Sequence, residues 1–271
     1  DEVAQALDEQ YMPRFAGDTL PATRTGQAVA IADRLDTLVG IFGIGQPPSG
    51  DKDPFGLRRA ALGVLRIMIE RDLDLDLSRL IAAAAEGHRS SSDGFPFDAA
   101  VQGQVFEFML ERLRRYYHDA GVAPDTFEAV AARRPTRPLD FDRRIRAVDT
   151  FRGIPEAEAL AAANKRISNI LRQAEGAIPE RVSGEHLEEA AEKALGAKVE
   201  ELAKAVAPLF DQGAYEEALK ELASLRDPVD TFFDEVMVMA EDPALRGNRL
   251  ALLKRLSDLF LRAADISRLQ G

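Results

Sequence analysis

The chain has 271 residues, 46% hydrophobic and 30% charged, which suffices for a buried core in one large or two ordinary domains and does not suit a disordered or fibrous protein. Its formal net charge of −11 argues against indiscriminate nucleic-acid binding, because the far field repels phosphate, and the absence of cysteine excludes a disulfide framework, thiol catalysis and Cys-ligated zinc. No apolar run approaches the roughly 20 residues of a membrane span, and the start, DEVAQALDEQYMP, is acidic where a signal peptide is basic and then apolar.

Helical spacing recurs along the chain while apolar/polar alternation is hardly ever sustained, so the expected fold is all-α. The first residues read as an amphipathic helix entered without Met, as in a piece of a longer protein. Residues 25–42 carry Ala28, Ile31, Leu35, Leu38 and Phe42 at steps of three and four, followed by Gly and Pro stops in GIGQPPSGDKDP. The next helix is expected to have Asp53 as N-cap and Pro54 at its first position, with Leu57, Ala61, Val64, Leu65 and Met68 on one face. LSRLIAAAAEG reads as a shorter helix leading into GHRSSSDGFPFD, which has the composition of a linker; a division near residue 95 is expected, giving domains 1–95 and 96–271. Asp98 then caps a long helix through Val101, Val105, Phe108, Leu113 and Tyr117 to Gly121. Further helices are expected at about 126–133, 139–152, 156–173, 185–210, 214–224, 228–241 and 243–267, with Phe232, Phe233, Met237 and Met239 in the core.

Charge is unevenly spread. Basic and acidic side chains number 9 and 13 over 1–84, 14 and 14 over 85–176, and 12 and 19 over 177–271. Against this background RRPTRPLDFDRRIRAV (133–148) sets Arg133, Arg134, Arg137, Arg143, Arg144 and Arg146 against only Asp140 and Asp142. Guanidinium groups on one helical turn suit bidentate phosphate contacts. They equally suit ion pairs with Asp140, Asp142 or Asp149. Asn164, Lys165, Arg166 and Asn169 share one helix, with Lys165 and Asn169 on one face, an arrangement able to meet the edges and backbone of unstacked bases. Lys52, Arg58 and Arg59 are weaker candidates, for which loop fixing through Asp51 and Asp53 competes with contact to nucleic acid.

Chemistry is sparse. His88, His118 and His186 share no metal-ligand spacing, and the His118–Asp119 dipeptide sits at a helix end before Gly121, where a histidine suits the dipole. GIFGIGQPPSG follows no strand and lacks the Lys-Ser/Thr ending of a phosphate-binding loop, and nothing resembles a nucleophile elbow. No catalytic, metal or cofactor residues are expected in this stretch.

Three segments together carry a resemblance: LPATRTGQAVAIADRLDTLVGIFGIGQPPSGDKDPFGLRRAALGVLRI (20–67), RRPTRPLDFDRRIRAV with AEALAAANKRISNIL (133–148 and 157–171), and DPVDTFFDEVMVMAEDPALRGNRLALLKRLSDLFLRAADISRLQ (227–270). In this order they resemble the C-terminal part of the β subunit of bacterial glycyl-tRNA synthetase, most weakly over 176–214. The resemblance implies the end of an HD-like helical domain, without the front that would carry a His-Asp site, followed by a DALR-type anticodon-binding helical bundle; DPALR (242–246) is similar to the namesake motif. Asp33 in ADRLD is at most a leftover of a metal-binding pattern. What it implies for function is a tRNA-binding module of an ATP-dependent glycine–tRNA ligase, silent in catalysis by itself. Its partners would be tRNA(Gly), the α subunit and the rest of the β subunit, in the cytoplasm, with neither DNA nor membrane; ATP and Mg would belong to the α subunit. The alternative is a helical docking module for subunit assembly without RNA readout.

Overall fold

The computed structural model describes residues 1–15, 17–91, 98, 100–174 and 176–269, and among these it is built of helices without a strand. The expected division near residue 95 and most of the linker lie outside the described residues; Gly87–Ser91 continue a helix. By compactness the chain forms two units, one of Asp1–Val122 with Pro135–Asp142, the other of Ala123–Arg134 with Arg143–Gly271.

The first unit holds α1 (Glu2–Glu9), α2 (Arg24–Gly43), α3 (Leu57–Glu70), α4 (Leu77–Ser91) and α5 (Ala100–Asp119). Helix α2 is its centre and packs on the other four. Ala30, Ile31, Leu35, Leu38, Val39 and Phe42 are buried along it, whereas Ala28, expected on the stripe, faces solvent. Helix α5 buries Val101, Val105, Met109, Leu113 and Tyr117 and packs on α2, α3 and α4, which is why the first unit runs well past residue 95. Its end is as expected, with Gly121 at φ +88° and the Val122 N–H returning to the Tyr117 carbonyl (3.0 Å).

Helix α3 starts three residues later than expected. Asp53 still caps it, but from outside: its carboxylate accepts the N–H groups of Leu57 (2.8 Å) and Arg58 (3.0 Å), while left-handed Gly56 (φ +64°) turns the chain into the helix. The five expected core residues of α3 are all buried.

Two buried charges fix the N-terminal segment onto α2. Glu9, 4% exposed, accepts the N–H of Ala22 (3.1 Å) and both the N–H (3.1 Å) and hydroxyl (2.5 Å) of Thr23 at the start of α2. Burial pushes its carboxyl up, but these hydrogen bonds, led by the Thr23 hydroxyl, outweigh it and hold the group below the usual glutamate range. Arg34 donates to the carbonyls of Gln10 (2.8 Å), Ala30 (2.9 Å) and Pro13 (3.3 Å), and burial lowers its pKa against the pull of Asp33. A Cβ at Gly63 would lie 2.9 Å from Arg34 Nε, so the glycine inside α3 makes room for this side chain.

The second unit holds α6 (Pro124–Ala131), most of α7 (Pro138–Arg152), α8 (Ala157–Gln173), α9 (Ala190–Asp211), α10 (Tyr215–Leu222), α11 (Arg226–Glu235) and α12 (Pro243–Leu261). Helix α12 is buried on nearly every side, with Asn248 through Leu253 all inside, and packs on α8 and α9. The chain after it folds back: the Asp265 N–H donates to the Ala129 carbonyl of α6 (2.9 Å), and a 3₁₀ turn at Ile266–Arg268 packs on α8.

Three expected boundaries move. Helix α9 begins at Ala190, after a separate 3₁₀ turn at Gly184–His186, because Glu189 and Glu192 form a capping box there. Helix α12 ends at Leu261. Helix α11 ends at Glu235, where Val236 turns to extended backbone, and burial then alternates: Val236 and Val238 are buried while Met237 is 73% and Met239 53% exposed. The expectation of a core role thus holds for Phe232, fails for both methionines, and is half met by Phe233, which is partly buried.

Candidate nucleic-acid interface

The six arginines of 133–146 divide by what holds them. Arg137 belongs to the first unit and pairs with Asp74 at 2.7 Å. The other five belong to the second unit. Arg144 lies over the Tyr215 ring, 4.3 Å from its centroid, and donates to the Tyr215 hydroxyl (2.7 Å) and to the carbonyls of Arg262 (2.6 Å) and Ala263 (2.8 Å). Those carbonyls follow the last turn of α12, where a cation opposes the dipole and satisfies orphan acceptors. Arg144 is therefore an anchor within the bundle, a correction to its expected place at a phosphate.

Arg143 is exposed beside the α9–α10 turn; a Cβ at Gly213, which has φ +71°, would lie 3.4 Å from its Nη1. Arg133, Arg134 and Arg146 are exposed as well, Arg134 in left-handed backbone (φ +50°) just after α6. Of the expected carboxylate partners, Asp142 is buried in the first unit and accepts the Tyr117 hydroxyl (2.9 Å). Asp149 is exposed.

On α8 the expected base readers separate. Asn164 is 3% exposed and donates to the carbonyl of Leu160 one turn back (2.9 Å), so it is a core residue and not a reader of bases. The cause is its register: Leu160, Ala163, Asn164 and Ile167 form the buried stripe of α8. Lys165, Arg166 and Asn169 are exposed; the Asn169 side-chain Oδ1 accepts from Arg172 (2.9 Å), and the Arg166 guanidinium stacks 4.0 Å from the Phe233 centroid.

The weaker candidates fix loops. Arg58 donates to the Gly50 carbonyl, Arg59 to that of Arg14 (3.4 Å), and Lys52 pairs its backbone with Ser49. His88 Nε2 lies 3.0 Å from the Asp36 carbonyl, and His118 Nδ1 is 3.4 Å from Asp119. Among the described residues no three His, Asp or Glu side chains gather as metal ligands would.

Three further buried polar groups of the second unit, Asn248, Glu192 and Arg249, are not marked by the charge pattern of the sequence. Asn248 accepts the N–H of Ser183 (2.7 Å) and donates to the carbonyls of Ser183 and His186 (both 3.0 Å). Glu192, with no exposed surface, accepts the N–H groups of Glu188 (2.8 Å) and Glu189 (3.1 Å) and pairs with buried Arg249. The Arg249 Nη1 then donates to the Met237 carbonyl (2.7 Å). The available signal was Asn248–Arg249 opening an apolar run, NRLALL, in the middle of a helix.

Comparison with known proteins bears on this geometry directly. Residues 1–132 match the model of the glycyl-tRNA synthetase beta subunit, and residues 160–266 match that of the DALR anticodon binding domain. The chain is 60% identical over 268 residues to the glycine–tRNA ligase beta subunit of Marinobacter nauticus, which covers 98% of this chain and 38% of that protein. Over nearly its whole length the chain is similar to glycyl-tRNA synthetase β subunits. Other β subunits agree: that of Aeromonas salmonicida is 59% identical over 268 residues (99% of this chain, 38% of that protein), and that of Pasteurella multocida 56% over 272 (100% and 39%). The chain thus spans about two fifths of the length of these β subunits. The DALR match lies wholly inside the second unit and contains Lys165, Arg166, Asn169, Glu192, Asn248 and Arg249, whereas Arg133–Arg146 fall between the two matched regions.

Proposed function

We propose that this chain is the tRNA-binding C-terminal part of a glycyl-tRNA synthetase β subunit, and that its second unit recognises tRNA(Gly), including the anticodon region, for glycine attachment catalysed with the α subunit in the cytoplasm. The observation that carries the reading is the DALR anticodon-binding match over 160–266. Exposed cations supply the chemistry: Arg133, Arg134, Arg143 and Arg146 for phosphate, and Lys165 with Asn169 on α8 for the loop. ATP and Mg act on the α subunit in this reading, and the rest of the β subunit completes the assembly. Docking without RNA readout draws no observation of its own.

The test compares binding of tRNA(Gly) and of the same tRNA with a changed anticodon to this chain, across a salt series. A preference for the native anticodon supports the reading. Equal binding of both, or none, contradicts it. The net charge of −11 does not preclude contact, since repulsion is screened beyond about 10 Å at 0.1 M salt while close arginine–phosphate pairs persist.

A further inference from the structure

The irregular stretch Glu180–Glu189 is held with more polar apparatus than a connection needs. Asn248 clamps its middle through three backbone hydrogen bonds, and Glu192, neutralised by Arg249, clamps its end through two. Apolar residues in those buried positions would cost less desolvation, so the arrangement fixes a backbone shape at the expense of some stability. Leu187 is laid against α9 so closely that a Cβ at Gly196 would come within 3.3 Å of it.

The shape so fixed is the wall of a cavity of about 750 Å³ between this stretch, α9 and α12. Its apolar floor includes Val182, Leu187, Val199 and Leu252. Its rim carries three cations, Arg181, Lys193 and Arg255, against two carboxylates, Glu180 and Glu200. Arg255 is paired with Glu200 (3.2 Å), and Lys193 donates to the Glu188 carbonyl (3.0 Å). In a region with 12 basic and 19 acidic side chains this local excess of positive charge runs against the trend. The volume is in the range of small-ligand sites, and an apolar floor under a cationic rim matches a nucleotide: a flat ring with apolar faces, attached to phosphate.

Resting on the tRNA-binding reading above, we propose that this cavity receives one unstacked nucleobase of the bound RNA, with flanking phosphates against Arg181 and Lys193. The Asn248 and Glu192–Arg249 clamps are positioning groups that hold the wall open before RNA arrives, so that binding does not have to order it. All the residues involved lie within the DALR match.

The experiment uses the 271-residue chain and synthetic anticodon stem–loops of tRNA(Gly), one intact and a set each made abasic at one loop position. Ala197→Leu, at an exposed lining residue of α9, fills the cavity with a good helix former; Ala205→Leu, exposed on α9 and outside the cavity, is the control. The wild type is expected to lose about tenfold in affinity at one abasic position, the scale of one base stack. Ala197→Leu should lose a similar factor on the intact loop and nothing more on that abasic loop, while Ala205→Leu binds as the wild type does. Arg181→Gln removes a rim charge without touching the Asn248 and Glu192–Arg249 clamps and should lower the salt slope by about 0.7. If the wild type binds and both Ala197→Leu and Arg181→Gln match it, the cavity assignment falls and the tRNA-binding reading stands. Equal loss by Ala197→Leu on every loop also overturns the assignment, since it marks general damage. No binding by the wild type overturns both.

Discussion

Each unit buries an acid and an arginine to hold irregular backbone, and they do so in different ways. In the first, Glu9 and Arg34 are satisfied separately, Glu9 mainly by N–H and hydroxyl donors at the start of α2 and Arg34 by three carbonyls. In the second, Glu192 and Arg249 neutralise each other and then reach backbone on either side. The first arrangement ends in close packing, with Gly26 and Gly63 leaving space for little more than the two side chains. The second ends beside an open cavity of about 750 Å³. Backbone pinned in a closed core serves the fold; backbone pinned around open space is available to a ligand.

The largest expected effect separates mutual from backbone compensation. Arg249→Met strands the buried Glu192 carboxyl without its partner, and should cost about 3–5 kcal/mol by urea denaturation, whereas Arg34→Met, which strands only neutral carbonyls, should cost about 1–3 kcal/mol. Equal losses at the two sites would erase the contrast. Next in size, the two adjacent arginines of α7 set packing against contact. Arg144→Ala should lose about 1.5–3 kcal/mol through its charged hydrogen bonds and leave tRNA affinity per folded molecule unchanged. Arg143→Ala should stay within about 0.5 kcal/mol of wild type while its binding weakens on native and anticodon-changed tRNA alike. An Arg144→Ala protein of normal stability and poor binding would reverse these assignments.

The smallest effect sharpens the picture of the first unit through pH. Glu9 is held below its ordinary value, so the folded protein keeps it ionised where the unfolded chain takes up a proton. Its contribution is complete above the unfolded value of about 4.3 and is lost as pH falls through the lower folded one. Glu9→Gln should therefore show a shallower fall in stability over that acid window than the wild type. Parallel profiles would mean that the hydrogen bonds at Thr23 do not favour the ionised form.

Most of the helices were legible because burial in this fold is periodic. The stripe of α3 and the Gly121 stop of α5 follow from spacing and from left-handed glycine alone. Where the structure departs, a side chain acts at a distance that local pattern does not encode. Asp53 caps α3 from four residues upstream, and the alternation in VMVM was masked by a helix reading of its neighbours. The site was less legible. Charge density drew attention to Arg133–Arg146, yet density does not tell Arg144, folded onto Tyr215, from exposed Arg143. Asn164 looked like a reader of bases because its amide chemistry suits that role, and only its place on the buried stripe of α8 rules it out. Asn248 and Glu192 went unnoticed because their partners, backbone groups of 183–189, lie about sixty residues away or in a stretch without periodicity.

The most direct measurement is the affinity of the chain for tRNA(Gly) and for its anticodon-changed counterpart near physiological salt, with the wild type and Arg143→Ala side by side. On the tRNA-binding reading the wild type prefers the native anticodon, and Arg143→Ala weakens both complexes by a similar factor with the preference intact and the salt slope lower by about 0.7–0.9. Binding indifferent to the anticodon, or an Arg143→Ala protein with unaltered affinity and salt slope, would contradict it.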